Sequence, residues 1–189
     1  MLTEIADRAR TLPATIELDG HRLTFRLMQA GDQDAVLAFT RELREEDLLF
    51  LRLDITRPEV VDQWIENIEA KRTRTVVAID DDGKVLGYGS IHLNDALWTR
   101  HLGEIRLLVV PQMRGHGLGR ALAEYVFTVA QDLDLSKLVA QMMSTQHDAQ
   151  DLFHHLGFIP EAMLHDWVID RAGRTHDLIL MAREVDEDV

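Results

Sequence analysis

Between residues 109 and 122 the chain reads VVPQMRGHGLGRAL: an apolar run, a proline, three glycines at alternate positions flanked by arginines, then the start of an amphipathic run. No other stretch constrains the fold as much, because it demands a strand, a tight loop and a helix in quick succession. Pro111 ends the strand, and Gly115, Gly117 and Gly119 fall at the helix entrance. A helix start offers amides that have no carbonyl partner inside the helix, together with the positive end of the macrodipole. Glycine lets an anion reach those amides with no Cβ in the way. The loop therefore reads as a cradle for an anionic group, with Arg114 and Arg120 adding positive charge. Two other phosphate loops fit less well, since neither G-x-G-x-x-G on a first βα turn nor G-K-[ST] is present.

The rest of the pattern surrounds this loop with a mixed sheet. TIELDGHRLTFRLM (15–28) is two alternating runs about Asp19-Gly20, a hairpin signal. GDQDAVLAFTREL and PEVVDQWIENIEAKR carry helical periodicity, the second opening on Pro58, where a missing N–H costs nothing. TVVAI, the turn DDDGK and VLGYGSIHL predict a hairpin, and LGEIRLLVV a further strand. After the glycine loop, Leu118, Leu122, Tyr125, Val126 and Val129 share one helical face. KLVAQMM predicts a strand, DAQDLFHHL a short helix closed by Gly157, and AMLHDWVID with HDLILMAREV a final hairpin. The expected fold class is α/β, a mostly antiparallel sheet flanked by helices. Residues 1–20 are read as an N-terminal extension whose first turns could form an extra helix, and 21–189 as one domain.

Composition narrows the function. The 189 residues are 46% hydrophobic and 28% charged, which suits a single soluble domain. No apolar run reaches the roughly 18 residues of a membrane span, and the first residues lack the apolar block of a signal peptide. The absence of cysteine excludes disulfides and thiol catalysis and makes a cytoplasmic location the expectation. With 20 Lys and Arg against 33 Asp and Glu, the net charge of −13 has the wrong sign for a nucleic-acid partner. Such a surface also simply maintains solubility.

LLVVPQMRGHGLGRAL resembles the acetyl-CoA-binding motif of the GNAT N-acetyltransferase superfamily, [QR]-x-x-G-x-[GA], with Arg114, Gly117 and Gly119 at its positions. The resemblance extends over about residues 22–183, through the order of elements and the Gly-Phe pair that follows LFHHL. More loosely, WTRHLGEIR, LVAQMM, LFHHLGF and DRAGRTHDLILM are similar to a branch that includes protein lysine acetyltransferases. The resemblance implies that acetyl-CoA is the acyl donor. Its diphosphate would rest on the amides of Gly115, His116, Gly117, Leu118, Gly119 and Arg120, beside Arg114. Its pantetheine arm would run along Leu107, Leu108 and Val109 like an added strand, placing the thioester near a splay in the sheet beyond Val109. His116 is expected to contribute backbone rather than imidazole.

The implied acceptor is a primary amine. A protein lysine leads, with a polyamine, amino acid or antibiotic as the small-molecule alternative and a non-catalytic CoA-binding module as a third reading. At pH 7 a lysine-like amine is neutral in only about one molecule in 2,500, a handicap of about 4.6 kcal/mol, so a base is needed. Glu104 is the candidate, at a position where many family members carry one. Alternation puts Glu104, Arg106 and Leu108 on one face of the strand, so a structural pairing of Glu104 with Arg106 is the competing reading. His101 is a substitute base. The family's usual tyrosine acid is replaced by Phe153 and its asparagine by Gln146, and phenylalanine donates no proton. His154 could assist as an acid but is expected at the surface.

Metal is not expected: His147 and His154 are two helical turns apart, too far for one ion, and no further ligand motif accompanies them and Asp151. His176-Asp177 could orient substrate or satisfy a strand end. Glu45, Glu46 and Asp47 could attract a cationic acceptor or form a solvated face. The oligomeric state is not legible.

Overall fold

A computed structural model describes residues 11–48, 51, 53–170 and 172–185. The expected extra helix at the start of the chain, and the side chains of Glu45 and Glu46, lie outside the described residues. Eight strands form one sheet: β1 (Ala14–Leu18), β2 (His21–Leu27), β3 (Thr73–Ile79), β4 (Val85–Leu93), β5 (Leu102–Val109), β6 (Lys137–Met143), β7 (Ile159–Ile169) and β8 (Thr175–Glu184). Their order across the sheet is β1-β2-β3-β4-β5-β6-β8-β7. The helices are α1 (Gln33–Thr40), the short α2 (Glu45–Leu48), α3 (Pro58–Glu69), α4 (Leu118–Asp132) and α5 (His147–His155). No described helix is long and apolar enough to cross a membrane.

The hairpin expected at Asp19-Gly20 forms, with φ of 49° and 80° at the two turn residues. Two left-handed residues give the turn whose twist suits right-handed strands. The boundary drawn at 20/21 falls inside this turn. β1 pairs with β2 along its whole length, and Ile16 and Leu18 pack against the core. The helix expected from residue 31 begins instead as a 3-10 turn over Ala30–Asp32. There the Asp32 carboxylate accepts the Gln29 N–H at 2.7 Å and two hydrogen bonds from Arg26 at 2.6 and 2.7 Å.

Every neighbouring pair is antiparallel except β5–β6. That parallel register covers Leu102↔Lys137, Gly103↔Leu138 and Glu104↔Val139, after which the strands part. β5 continues against β4 to Val109↔Gly87, while β6 continues against β8 to Met143↔Leu178. The splay thus opens five residues earlier than expected, at Glu104 rather than beyond Val109. The cause is that each strand keeps its antiparallel partner after the parallel contact is lost.

One sheet face carries α4, whose predicted apolar stripe is buried in full. Gly89 lets it approach: a Cβ there would come within 2.6 Å of Val126 and 2.9 Å of Leu107. Tyr125 stacks on Phe25 of β2 at 4.6 Å. The opposite face carries α1 and α3, which bring Phe39 and Trp64 edge-on to Tyr88 of β4. Trp64 also donates from Nε1 to Thr75 Oγ1 at 3.1 Å, satisfying its N–H inside the core. These layers leave two features open for chemistry: the loop between β5 and α4, and the Glu104 face of β5.

Candidate active site

The loop is built from two left-handed glycines, Gly115 (φ 77°) and Gly117 (φ 85°), the latter at the N-cap of α4. Ala121 donates to the Gly117 carbonyl at 3.0 Å, which begins the helical ladder, so the amides of Leu118, Gly119 and Arg120 face out of the helix end. Gly119 has a packing reason as well, since a Cβ there would meet Leu152 of α5 at 3.3 Å and Val109 at 3.8 Å. A helix start with outward amides suits a diphosphate.

The loop's cationic side chains are engaged with the protein itself. Arg114 donates from Nη2 to Asp47 of α2 at 2.6 Å, and from Nε and Nη2 to the Val109 carbonyl at 3.3 Å. Arg120 pairs with Glu124 one turn on, at 3.2 Å. The His116 imidazole meets Asp19 at the β1–β2 turn, and Leu18 lies beside Gly117. Arg114 thus ties the loop to α2 and to the end of β5, while Arg120 pairs within its own helix. Asp47, read from sequence as part of either a lure for a cationic acceptor or a solvated face, pairs with Arg114.

Burial pushes the Asp47 carboxyl up, but hydrogen bonds from Arg114 and Arg44, with their charges, hold it below its ordinary value. A lowered folded value means that the stabilisation is complete above the unfolded value of about 3.9 and is lost as pH falls through the folded one. Between about pH 5 and pH 3 the melting temperature of wild type should therefore fall more steeply than that of Asp47→Asn. At neutral pH the variant should bind CoA severalfold more weakly, and isothermal calorimetry reads this directly.

Glu104 stands at the last β5–β6 pair. Its Oε1 accepts from Arg106 Nε at 3.0 Å and Nη2 at 2.9 Å, so the structural pairing foreseen from alternation is present. The carboxylate is nonetheless 19% exposed and lines a cleft of about 810 Å³. His92 of β4, Arg106, Lys137 and Gln141 of β6, and His101 share its walls. His92 lies directly across from Glu104 in register, its ring held between Ser90 Oγ (3.0 Å) and Thr73 Oγ1 (3.3 Å). Sequence reading missed His92; the alternation of VLGYGSIHL, counted against that of β5, would have placed it on this face.

Other candidates fall outside this cleft. Phe153 is buried, edge-on to Phe158 at 4.9 Å, and Gln146 accepts the Met143 N–H at 2.9 Å, closing the end of β6. His147 and His154 are exposed on α5. His176 bonds Asp170 at 3.0 Å, while Asp177 accepts from His165 and the Asp166 N–H, so both serve the β7–β8 hairpin. No three potential metal-ligating side chains converge among the described residues.

Comparison with known proteins gives the family of the chain. Residues 37–158 match the acetyltransferase (GNAT) family, and the chain belongs to it. Enzymes of this family use acetyl-CoA as acyl donor. The chain is 35% identical over 97 residues to an amino-acid acetyltransferase of Mycobacterium tuberculosis, covering 51% of this chain and 52% of that one. It is 31% identical over 117 residues to the L-amino acid N-acyltransferase MnaT of Escherichia coli, covering 59% of this chain and 65% of that one. The chain thus spans about half to two thirds of the curated relatives it matches. A phosphinothricin acetyltransferase from Sinorhizobium meliloti, solved in complex with AcCoA, has the same fold, with TM-score 0.75, 22% identity and coverage of 86% of this chain and 88% of that one.

Proposed function

We propose that this chain is an acetyl-CoA-dependent N-acetyltransferase whose acceptor is a small primary amine, with an α-amino acid foremost. One observation carries the reading: Glu104 stands in an open cleft at the residue where β5 and β6 part. The donor's diphosphate lies on the amides from Gly115 to Arg120 and its pantetheine along the freed edge of Leu107 to Val109. Glu104 takes the ammonium proton, directly or through water, and the neutral amine attacks the thioester carbon. The tetrahedral adduct expels the thiolate, which takes the remaining nitrogen proton and, with a pKa near that of cysteine at about 8.5, leaves without a dedicated acid. A phenylalanine at position 153 is compatible with that chemistry. The names of both curated relatives support an amino acid over the protein lysine that the sequence resemblance put first.

A protein lysine remains a second reading, favoured by Leu97 and Trp98. These are 78% and 85% exposed on the β4–β5 loop, whose neighbouring residues Asn94, Asp95 and Thr99 line the cleft. Exposed apolar side chains at a cleft rim suit a macromolecular acceptor.

Release of free thiol from acetyl-CoA, measured across amino acids, simple amines, polyamines and lysine-bearing proteins, tests both. Turnover with amino acids at least tenfold above protein lysine is expected. CoA binding without release in the presence of any acceptor would leave a non-catalytic CoA-binding module.

A further inference from the structure

Two Lys or Arg side chains, Arg106 and Lys137, line the Glu104 cleft, and the protein engages them differently. Lys137 Nζ is held between Glu161 at 2.9 Å and Glu184 at 3.0 Å. Arg106 directs Nε and Nη2 at a single oxygen of Glu104, at 3.0 and 2.9 Å. Its Nη1 has no hydrogen-bond or ion-pair partner among the described residues. A guanidinium carries five N–H donors in a planar fork, so this one retains donors after meeting Glu104. The side chain is 25% exposed, on the wall of the cleft.

The position of this ion pair matters as much as its unused donors. Glu104↔Val139 is the last pair that joins β5 to β6. Arg106, one same-face step further along β5, has Ser90 of β4 in register on one side and no β6 residue in register on the other. Negative charge therefore stands where the strands part, and positive charge one step into the gap. A simple amine complements only the first of these. An α-amino acid carries an ammonium group and a carboxylate on one carbon, and so complements two opposite charges that already touch. The flat fork of a guanidinium suits a carboxylate in geometry as well as in charge.

Resting on the acetyltransferase reading above, we infer that Arg106 donates from Nη1 to the α-carboxylate of an amino-acid acceptor while Glu104 holds its ammonium group. Arg106 is then a specificity residue, separating α-amino acids from amines that lack the adjacent negative charge.

The test compares wild type and Arg106→Gln on an α-amino acid and on its carboxamide, which has the same shape without the charge, with acetyl-CoA saturating. Removing Arg106 also takes away the partner of Glu104, an effect common to both acceptors, so the readout is the difference between them. Loss of a hydrogen bond to a charged group should lower kcat/KM for the amino acid by about 10- to 100-fold more than for the carboxamide. Arg106→Lys, which keeps the charge but not the fork, should recover part of that difference. Calorimetry with CoA should give wild-type affinity for both variants. Equal loss on the two acceptors, or no loss on either, overturns the inference and leaves the amino-acid reading in place. A wild type that acetylates the carboxamide as well as the amino acid, at equal concentrations of neutral amine, overturns it without any variant. A wild type active only on amines without a carboxylate overturns it too, while acetyltransferase activity stands. A wild type that acetylates nothing overturns both.

Discussion

Glu104→Gln is expected to lower kcat/KM for the acceptor by about 10²- to 10⁴-fold at neutral pH, the range a positioned base typically supplies. Glutamine keeps the length of the side chain and an oxygen for Arg106, so the fold should persist and CoA should bind with wild-type affinity. What it lacks is a site for the ammonium proton, and with few neutral amines at pH 7 that loss falls on the chemical step. Raising the pH supplies neutral amine from solution, so the deficit should shrink toward pH 9 to 10 for a lysine-like acceptor. Rates with varied acceptor at several pH values, beside calorimetry with CoA, separate these effects. Full activity at pH 7 would mean that the Arg106 ion pair is the whole role of Glu104, and that another group in the cleft, with His92 the first to examine, takes the proton.

Gly117→Val should abolish the thermal stabilisation given by CoA. Position 117 has φ of 85°, where a β-branched residue is strained by roughly 1–3 kcal/mol. Relief requires the N-cap to rotate, which turns the amides of α4 away from a common focus. In a protein of this size that strain corresponds to a loss in ligand-free Tm of roughly 3–10 °C, leaving a folded protein to assay. In wild type, CoA at about 100 times its Kd adds about 2.7 kcal/mol of stability. A melting scan with and without CoA shows the difference, and a CoA-induced shift equal to that of wild type would remove the amide cradle from the account.

The sheet's strands were legible because alternation and turn chemistry agree. Asp19-Gly20 has the two left-handed residues that its hairpin requires, and the stripe on α4 buries as its period predicts. The glycine loop and the helix start after it were legible for the same reason, since glycine spacing and helix entry are local properties. What stayed hidden depends on residues far apart in sequence. Arg114 finds Asp47 across 67 positions and His116 finds Asp19 across 97, pairings that no local pattern announces. The point where β5 and β6 part is set among four strands, since β5 stays with β4 and β6 with β8. Glu104 was half legible: alternation gave its face and its arginine, but not the cleft in front of it.

Three residue pairs along β5 and β6 are all that join a five-stranded leaf to a three-stranded one within this sheet. A molecule seated in the gap beyond them would act as a rivet, lending the missing rungs of the ladder. Occupancy of the gap would then couple to the rigidity of the whole β-layer, and the leaf formed by β6, β8 and β7 would be the part that stiffens.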